Sequence, residues 1–345
     1  MPPAGSSSRP AGICASFSIV DGSVLALVWL LQPAAAQGAF GTARPAECGV
    51  VEGFRATNAW ERAKEPNLRR YCDLLASGTA KLVGSGSTIL VQEVPQIADE
   101  ADKLLPGRAS PHVLKGRALL RLGRPEDALV SLSEAKRRDD RALDDPVALL
   151  AWARANARTG HLAEAAQAYR AALPRTSALT AQERSSASFE AGMTVMAQGA
   201  AGIDDAVAMF RQARRDAQDA MQVAAVTALG LALDRAGLRD EAKAVLASLS
   251  RADVKPLLAD PRVAEAMADA GAASESDALV AIALESEGGA PAKDAWRKYL
   301  ESAGGKGPWA DHAREHAGGA APKKQEVAAP RSAPKVGKTN NGGAR

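Results

Sequence analysis

Bulky rings are scarce in this sequence: 4% of its 345 residues are aromatic, although 46% are hydrophobic. A globule filled by large side chains is therefore excluded. Alanine carries much of the apolar content instead, which suits helices that approach closely through small side chains. Runs of Val, Ile, Thr and Tyr are nearly absent, and this argues against a core built on sheets. The reading is all-α. Cysteine occurs three times (Cys14, Cys48, Cys72) without a Cys-x-x-Cys spacing or a nearby His, so a thiolate metal site is not expected. No Gly-rich phosphate loop, Ser-centred nucleophile elbow or paired catalytic carboxylate is present. The chain reads as non-catalytic, with no cofactor.

Charge of either sign is nearly balanced, at +3 overall. Most of the excess lies in residues 318–345, which hold Lys323, Lys324, Arg331, Lys335, Lys338 and Arg345 against Glu326. The rest is about neutral, so no nucleic acid is expected as partner. The tail has no apolar period and reads as disordered. Its basic charge suits weak contact with an anionic surface.

Long apolar runs are also missing. The one short run, around Val24 to Leu31, is followed by Ala34-Ala35-Ala36, a small-x-small site of the kind a signal peptidase cleaves. Residues 1–36 therefore read as a signal peptide with Gln37 as the mature start, and the protein as exported to the periplasm or cell envelope. Asp21 and a weakly basic leader speak against this. With export, Cys48 and Cys72 are the only mature cysteines, and an even pair is most simply a disulfide. Without export, two buried free thiols are the alternative.

Residues 37–66 contain Pro45, Gly49, Gly53 and Pro66 and read as an irregular lead-in. Helical periodicity begins near Asn67. Leu68, Tyr71, Leu74 and Leu75 give one apolar face, and a second helix ends before Pro106-Gly107. Clearer units follow. In residues 148–173, Leu149, Trp152, Ala153 and Asn156 precede Gly160, and Ala165, Tyr169 and Ala172 come after it. Gly116, Leu119, Gly123, Ala128 and Leu132 form a similar set, as do Gly192, Val195, Gly199, Ala206 and Phe210, and Leu229, Gly230, Gly237, Ala242 and Leu246. The alanines opening the second helices, Ala128, Ala165, Ala206 and Ala242, are 37, 41 and 36 residues apart.

These residues resemble the tetratricopeptide repeat, a helix-turn-helix unit of about 34 residues. The resemblance covers roughly residues 67–317. It implies a right-handed superhelix, an α-solenoid of stacked repeats, whose first helices line a concave groove for a peptide or protein. Beyond Leu249 the spacing favours a fifth repeat built on Val263, Ala264, Met267, Gly271, Ala278 and Ile282. A competing alignment pairs the helix from Ser276 with residues 291–302 through Ala292 and Trp296. The Lys and Asn set of the family's peptide-carboxylate clamp is lacking, with Val113 and Leu150 at comparable places.

Arg117 and Arg121 are four apart and share a helix face, and Arg154 and Arg158 repeat them one interval later. The equivalents further along are Met193 with Ala197 and Leu231 with Arg235. The groove is thus expected to be basic near Arg117, Arg121, Arg154 and Arg158 and more apolar near Met193 and Leu231, with Arg235 at its far end. A partner with an acidic segment fits that layout. A solvated helix face is the plain alternative. The expected function is an interaction scaffold in an exported complex, and the alternative is a structural envelope protein tethered by its tail. His312, Glu315 and His316 meet the reversed zincin order His-x-x-Glu-His, but the sequence offers no evident third ligand, so a solvated helix is expected there and no metal.

Overall fold

A computed structural model of the chain describes Cys48, residues 66–84, 88–249, Pro256, residues 258–285 and residues 290–318. The described residues fall in one unit, and residues 1–39, with the expected signal segment, lie outside the described part. The lead-in apart from Cys48 and Pro66, and the tail after Gly318, lie outside it too. Among the described residues the structure is helical and contains no strand.

Ten helices come first: α1 Pro66–Gly84, α2 Thr88–Leu104, α3 Ser110–Arg121, α4 Pro125–Arg138, α5 Pro146–Arg158, α6 Leu162–Ala172, α7 Ala181–Ala197, α8 Ile203–Asp216, α9 Asp219–Arg235 and α10 Arg239–Leu246. They pack as consecutive pairs, α1 on α2 through to α9 on α10, and each second helix also packs on the first helix of the next pair. Local sequence sets the boundaries. Asp145 caps α5 by accepting from the amides of Val147 and Ala148, and Pro146 sits where a helix has no use for an N–H. Thr180 and Glu183 form a reciprocal capping box on α7. Gly160 ends α5 at φ +83°, a conformation that glycine adopts at little cost.

Pairing within each unit depends on a notch in the first helix. A Cβ on Gly116, Gly192 or Gly230 would come within 2.6 Å of Leu132, Phe210 or Leu246, respectively. In the third pair, which begins at Pro146, the notch is Ala153, and Tyr169 is the large residue in the following helix; both are fully buried. A small residue on one helix thus admits a large one from its partner, and each such large apolar side chain contributes roughly 1.5–3 kcal/mol by leaving water.

After α10 the serial pairing stops. Helix α11, Pro261–Asp269, starts at an Asp260 cap but does not pair with the helix that follows it. It packs on α5, α7 and α9, three first helices, and the turn Ala273–Glu275 follows. Helix α12, Ser276–Glu285, pairs with α13, Ala290–Glu301, and also packs on α9; α14, Ala310–His316, packs on α13. The expected fifth repeat over Val263 to Ile282 is therefore not formed. The competing pairing through Ala292 and Trp296, both buried, is the one in the structure. The reason is that α11 buries its apolar side, Val263, Ala266 and Met267, against the first helices instead of against a hairpin partner. None of the described helices is long and apolar enough to cross a membrane.

Cys48 and Cys72 are joined in a disulfide, which fixes the lead-in to α1. Both are buried with Tyr71, Leu75, Val91 and Val94.

Candidate functional site

The face shared by the first helices is where the arginines were expected to gather, and α11 now lies across part of it. Arg158 donates from Nε to Asp269 Oδ1 at 2.6 Å, and Arg154 Nε stands 3.5 Å from the other oxygen of the same carboxylate. Arg154 also grips Glu190 of α7 with two parallel bonds of 2.8 and 2.9 Å. Such a fork is the strong geometry for guanidinium and carboxylate. Two arginines and two acids therefore alternate across α5, α7 and α11.

Further bonds hold the end of α11 in place. The Tyr169 hydroxyl stands 3.1 Å from both Glu190 Oε2 and the backbone oxygen of Asp269. Thr194 places its hydroxyl 2.9 Å from the oxygen of Ala270. Gly271 follows at φ +63°, and a Cβ there would stand 2.3 Å from the backbone oxygen of Ala157. Only a residue without a side chain lets the two backbones come so close.

Burial governs the charges. It raises the Glu190 carboxyl, the Asp269 charge adds to this, and Arg154 opposes both. Burial also raises the Tyr169 hydroxyl well above its ordinary value, with Glu190 in support. For Arg154, burial alone would lower the guanidinium, but Glu190 and Asp269 outweigh it and hold it well above normal. A buried network of this kind adds little over a well-packed apolar one, but removal of a single member leaves a stranded charge.

Arg117 is set differently. It is half-buried on α3, at the position that Arg154 takes one unit later, and makes no hydrogen bond or ion pair among the described residues. Burial lowers its guanidinium, and the nearby Asp145 only partly offsets this. Arg121 reaches back to donate to the backbone oxygen of Leu82.

The apolar far end is not open to a partner. Met193 and Leu231 are fully buried in one core cluster with Val263, Met267 and Trp309. Arg235 is buried as well, bonded to Glu275 at 2.7 Å and lying 4.7 Å over the Trp309 ring. Glu275 in turn accepts from Tyr299 at 2.8 Å. The expected patch of four arginines running into an apolar groove is thus divided: Arg121, Arg154, Arg158, Met193, Leu231 and Arg235 serve contacts within the chain, and Arg117 makes no hydrogen bond or ion pair among the described residues.

Sequence reasoning missed Glu190, Asp269 and Tyr169 as a set. A signal existed for Glu190, because the equivalent buried positions in the other units are Leu114, Ala151 and Ala228. An acid in an apolar register position requires a partner, and Arg154 on the neighbouring first helix is it.

Compared with known proteins, the chain matches no family model, and no curated protein matches it at a significant level.

Proposed function

We propose that this protein is a non-catalytic protein interaction scaffold of an exported or cell-envelope complex, and that it takes a partner segment bearing a carboxylate over α3 and the start of α5. The observation that carries this reading is Arg117, a desolvated cation without a direct acceptor among the described residues. One unit along, the equivalent arginine and its neighbour bind Glu190 and Asp269. Asp269 comes from a short helix laid across the first helices, so a helical segment with an acid near its end is the form of ligand that the same spacing favours. Helix pairs in series and the resemblance to tetratricopeptide repeats support the scaffold role. The apolar run and Ala34-Ala35-Ala36 support export.

Arg117→Glu provides the test, because the side chain makes no hydrogen bond or ion pair among the described residues, and circular dichroism checks that the variant folds. The partner captured by the wild-type chain should be lost from the variant, and binding to the wild type should weaken with salt. Arg117→Lys should retain only part of the affinity, since an ammonium cannot form the paired bonds. Unchanged capture by a folded Arg117→Glu variant would remove the site from consideration.

A further inference from the structure

Asp234 near the end of α9 meets two largely buried histidines of α14. His312 and His316 are four apart and so present their rings on one face of the helix. Nε2 of His312 stands 2.8 Å from Asp234 Oδ2, and Nε2 of His316 stands 3.0 Å from the same oxygen. The sequence set this histidine pair aside for want of a third ligand. The fold supplies one.

Ordinary hydrogen bonding does not satisfy the three groups. Asp234 Oδ2, His316 Nε2 and His312 Nδ1 are buried and have no aligned hydrogen-bond partner among the described residues, although the first two are close together. Proximity without alignment means that the ring nitrogens point past the oxygen. Around a divalent ion with bonds of about 2.0–2.2 Å, adjacent ligand atoms stand roughly 3 Å apart without pointing at one another. The three potential ligand atoms all fall within 4.8 Å of each other.

The surroundings fix one ring in the state a metal requires. Nδ1 of His316 is bonded to Glu285 Oε1, and the same oxygen accepts from Trp296 Nε1 at 2.6 Å. With Nδ1–H donated to Glu285, the Nε2 lone pair of His316 is left for an ion, and the ring packs on the Trp296 ring with centroids 5.1 Å apart. A carboxylate behind a ligating histidine is the usual outer-shell support in such centres. A cavity of about 640 Å³ opens on the cluster and is lined by Asp234, His316, Glu285, Arg239, Leu246 and Ile282, among others. Three protein ligands with an open side leave room for water or an added ligand.

We propose that Asp234, His312 and His316 form a binding site for one divalent late first-row transition metal of the zinc type, with Glu285 as its outer-shell support. Two imidazoles and one carboxylate suit zinc, cobalt or nickel in preference to calcium or magnesium, which take oxygen ligands. The ion ties α14 to α9, two helices otherwise linked through α13 and α12.

The purified full chain, stripped of metal with a chelator and titrated at neutral pH with Zn²⁺ and then Co²⁺, tests the site. One equivalent of Zn²⁺ should bind with submicromolar affinity and raise the thermal midpoint, and Co²⁺ should give visible ligand-field bands. Asp234→Asn and His316→Gln should abolish stoichiometric binding. Glu285→Gln, which keeps all three ligands, should weaken it about 10- to 100-fold. If a ligand variant does not fold, Glu285→Gln alone decides the location. Failure of the wild-type chain to take up Zn²⁺ stoichiometrically, or equal affinity in the folded Glu285→Gln variant, would overturn the assignment.

Discussion

Replacement of Gly192 by Ala opposes two well-defined effects. Gly192 lies inside α7, and Gly→Ala in a helix interior alone should stabilise by about 0.8–1 kcal/mol. The added Cβ, however, would meet three carbons of the Phe210 ring at 2.6, 2.8 and 2.8 Å. That ring is fully buried and stands 6.0 Å from Phe189, so it has no solvent-facing side to yield toward. Overpacking of this kind costs roughly 1–3 kcal/mol, and the balance is a loss of up to about 2 kcal/mol. Urea unfolding followed by circular dichroism would measure it, and comparison with Gly192→Ala in a Phe210→Leu background would separate the two effects. With the ring gone, the alanine should become neutral or stabilising, and the difference between the two backgrounds is the coupling energy. An equal effect of Gly192→Ala in the wild-type and Phe210→Leu backgrounds would refute the notch as the basis of helix pairing.

Asp269→Asn should lower stability by about 3 kcal/mol, because Arg158 and Arg154 lose a charged acceptor inside the protein; loss of amide-exchange protection should be confined to α11 and the first helices beneath it. Gly271→Val should release the same segment by steric means, and intact protection there would contradict the close approach to Ala157. Since folding raises the Glu190 carboxyl toward about 7, its contribution is complete below the unfolded value near 4.5 and fades as pH rises through 7. A pH series of thermal midpoints should therefore slope downward over that window in the wild type and less so in Glu190→Gln, and equal slopes would refute the assignment. Cys72→Ser opens a bridge between residues 24 apart and should cost about 3–4 kcal/mol by the chain-entropy rule; alkylation of the unreduced protein checks that the bond is present.

Helix pairs through α10 could be read from the sequence because the signals were local. Gly116 and Leu132, or Gly230 and Leu246, lie within one hairpin, and their spacing repeats. What followed Leu249 was less legible for a physical reason. Periodicity identifies the apolar side of the helix from Pro261 but not the surface that will cover it, so Val263 and Met267 suited a fifth hairpin as well as the first-helix face. Arg154 and Arg158 were found by their spacing, but their acceptors were not, since Asp269 is far away in sequence and Glu190 sits on the next first helix. Arg117 could be placed beside them only by the interval, and nothing in the pattern distinguished it from its paired equivalents. His312 and His316 were visible as a pair, and Asp234, at the end of another helix, was not.

The helix laid over α5, α7 and α9 also bears on the order in which the molecule is completed. Paired helices in series make mostly short-range contacts, so each hairpin can close as soon as its own residues are available. The bonds from Arg158 to Asp269 and from Thr194 to the Ala270 oxygen instead span 111 and 76 residues. Synthesis proceeds from the amino terminus, and Arg154, Arg158 and Glu190 therefore emerge well before Asp269. During that interval two guanidinium groups and one carboxylate share a face that stays hydrated, and the inner core around Met193 and Leu231 lacks its cover. Docking of α11 has to await Asp269, and it covers the first helices of three pairs. It links helix pairs that otherwise pack mainly on their neighbours in sequence through one shared segment.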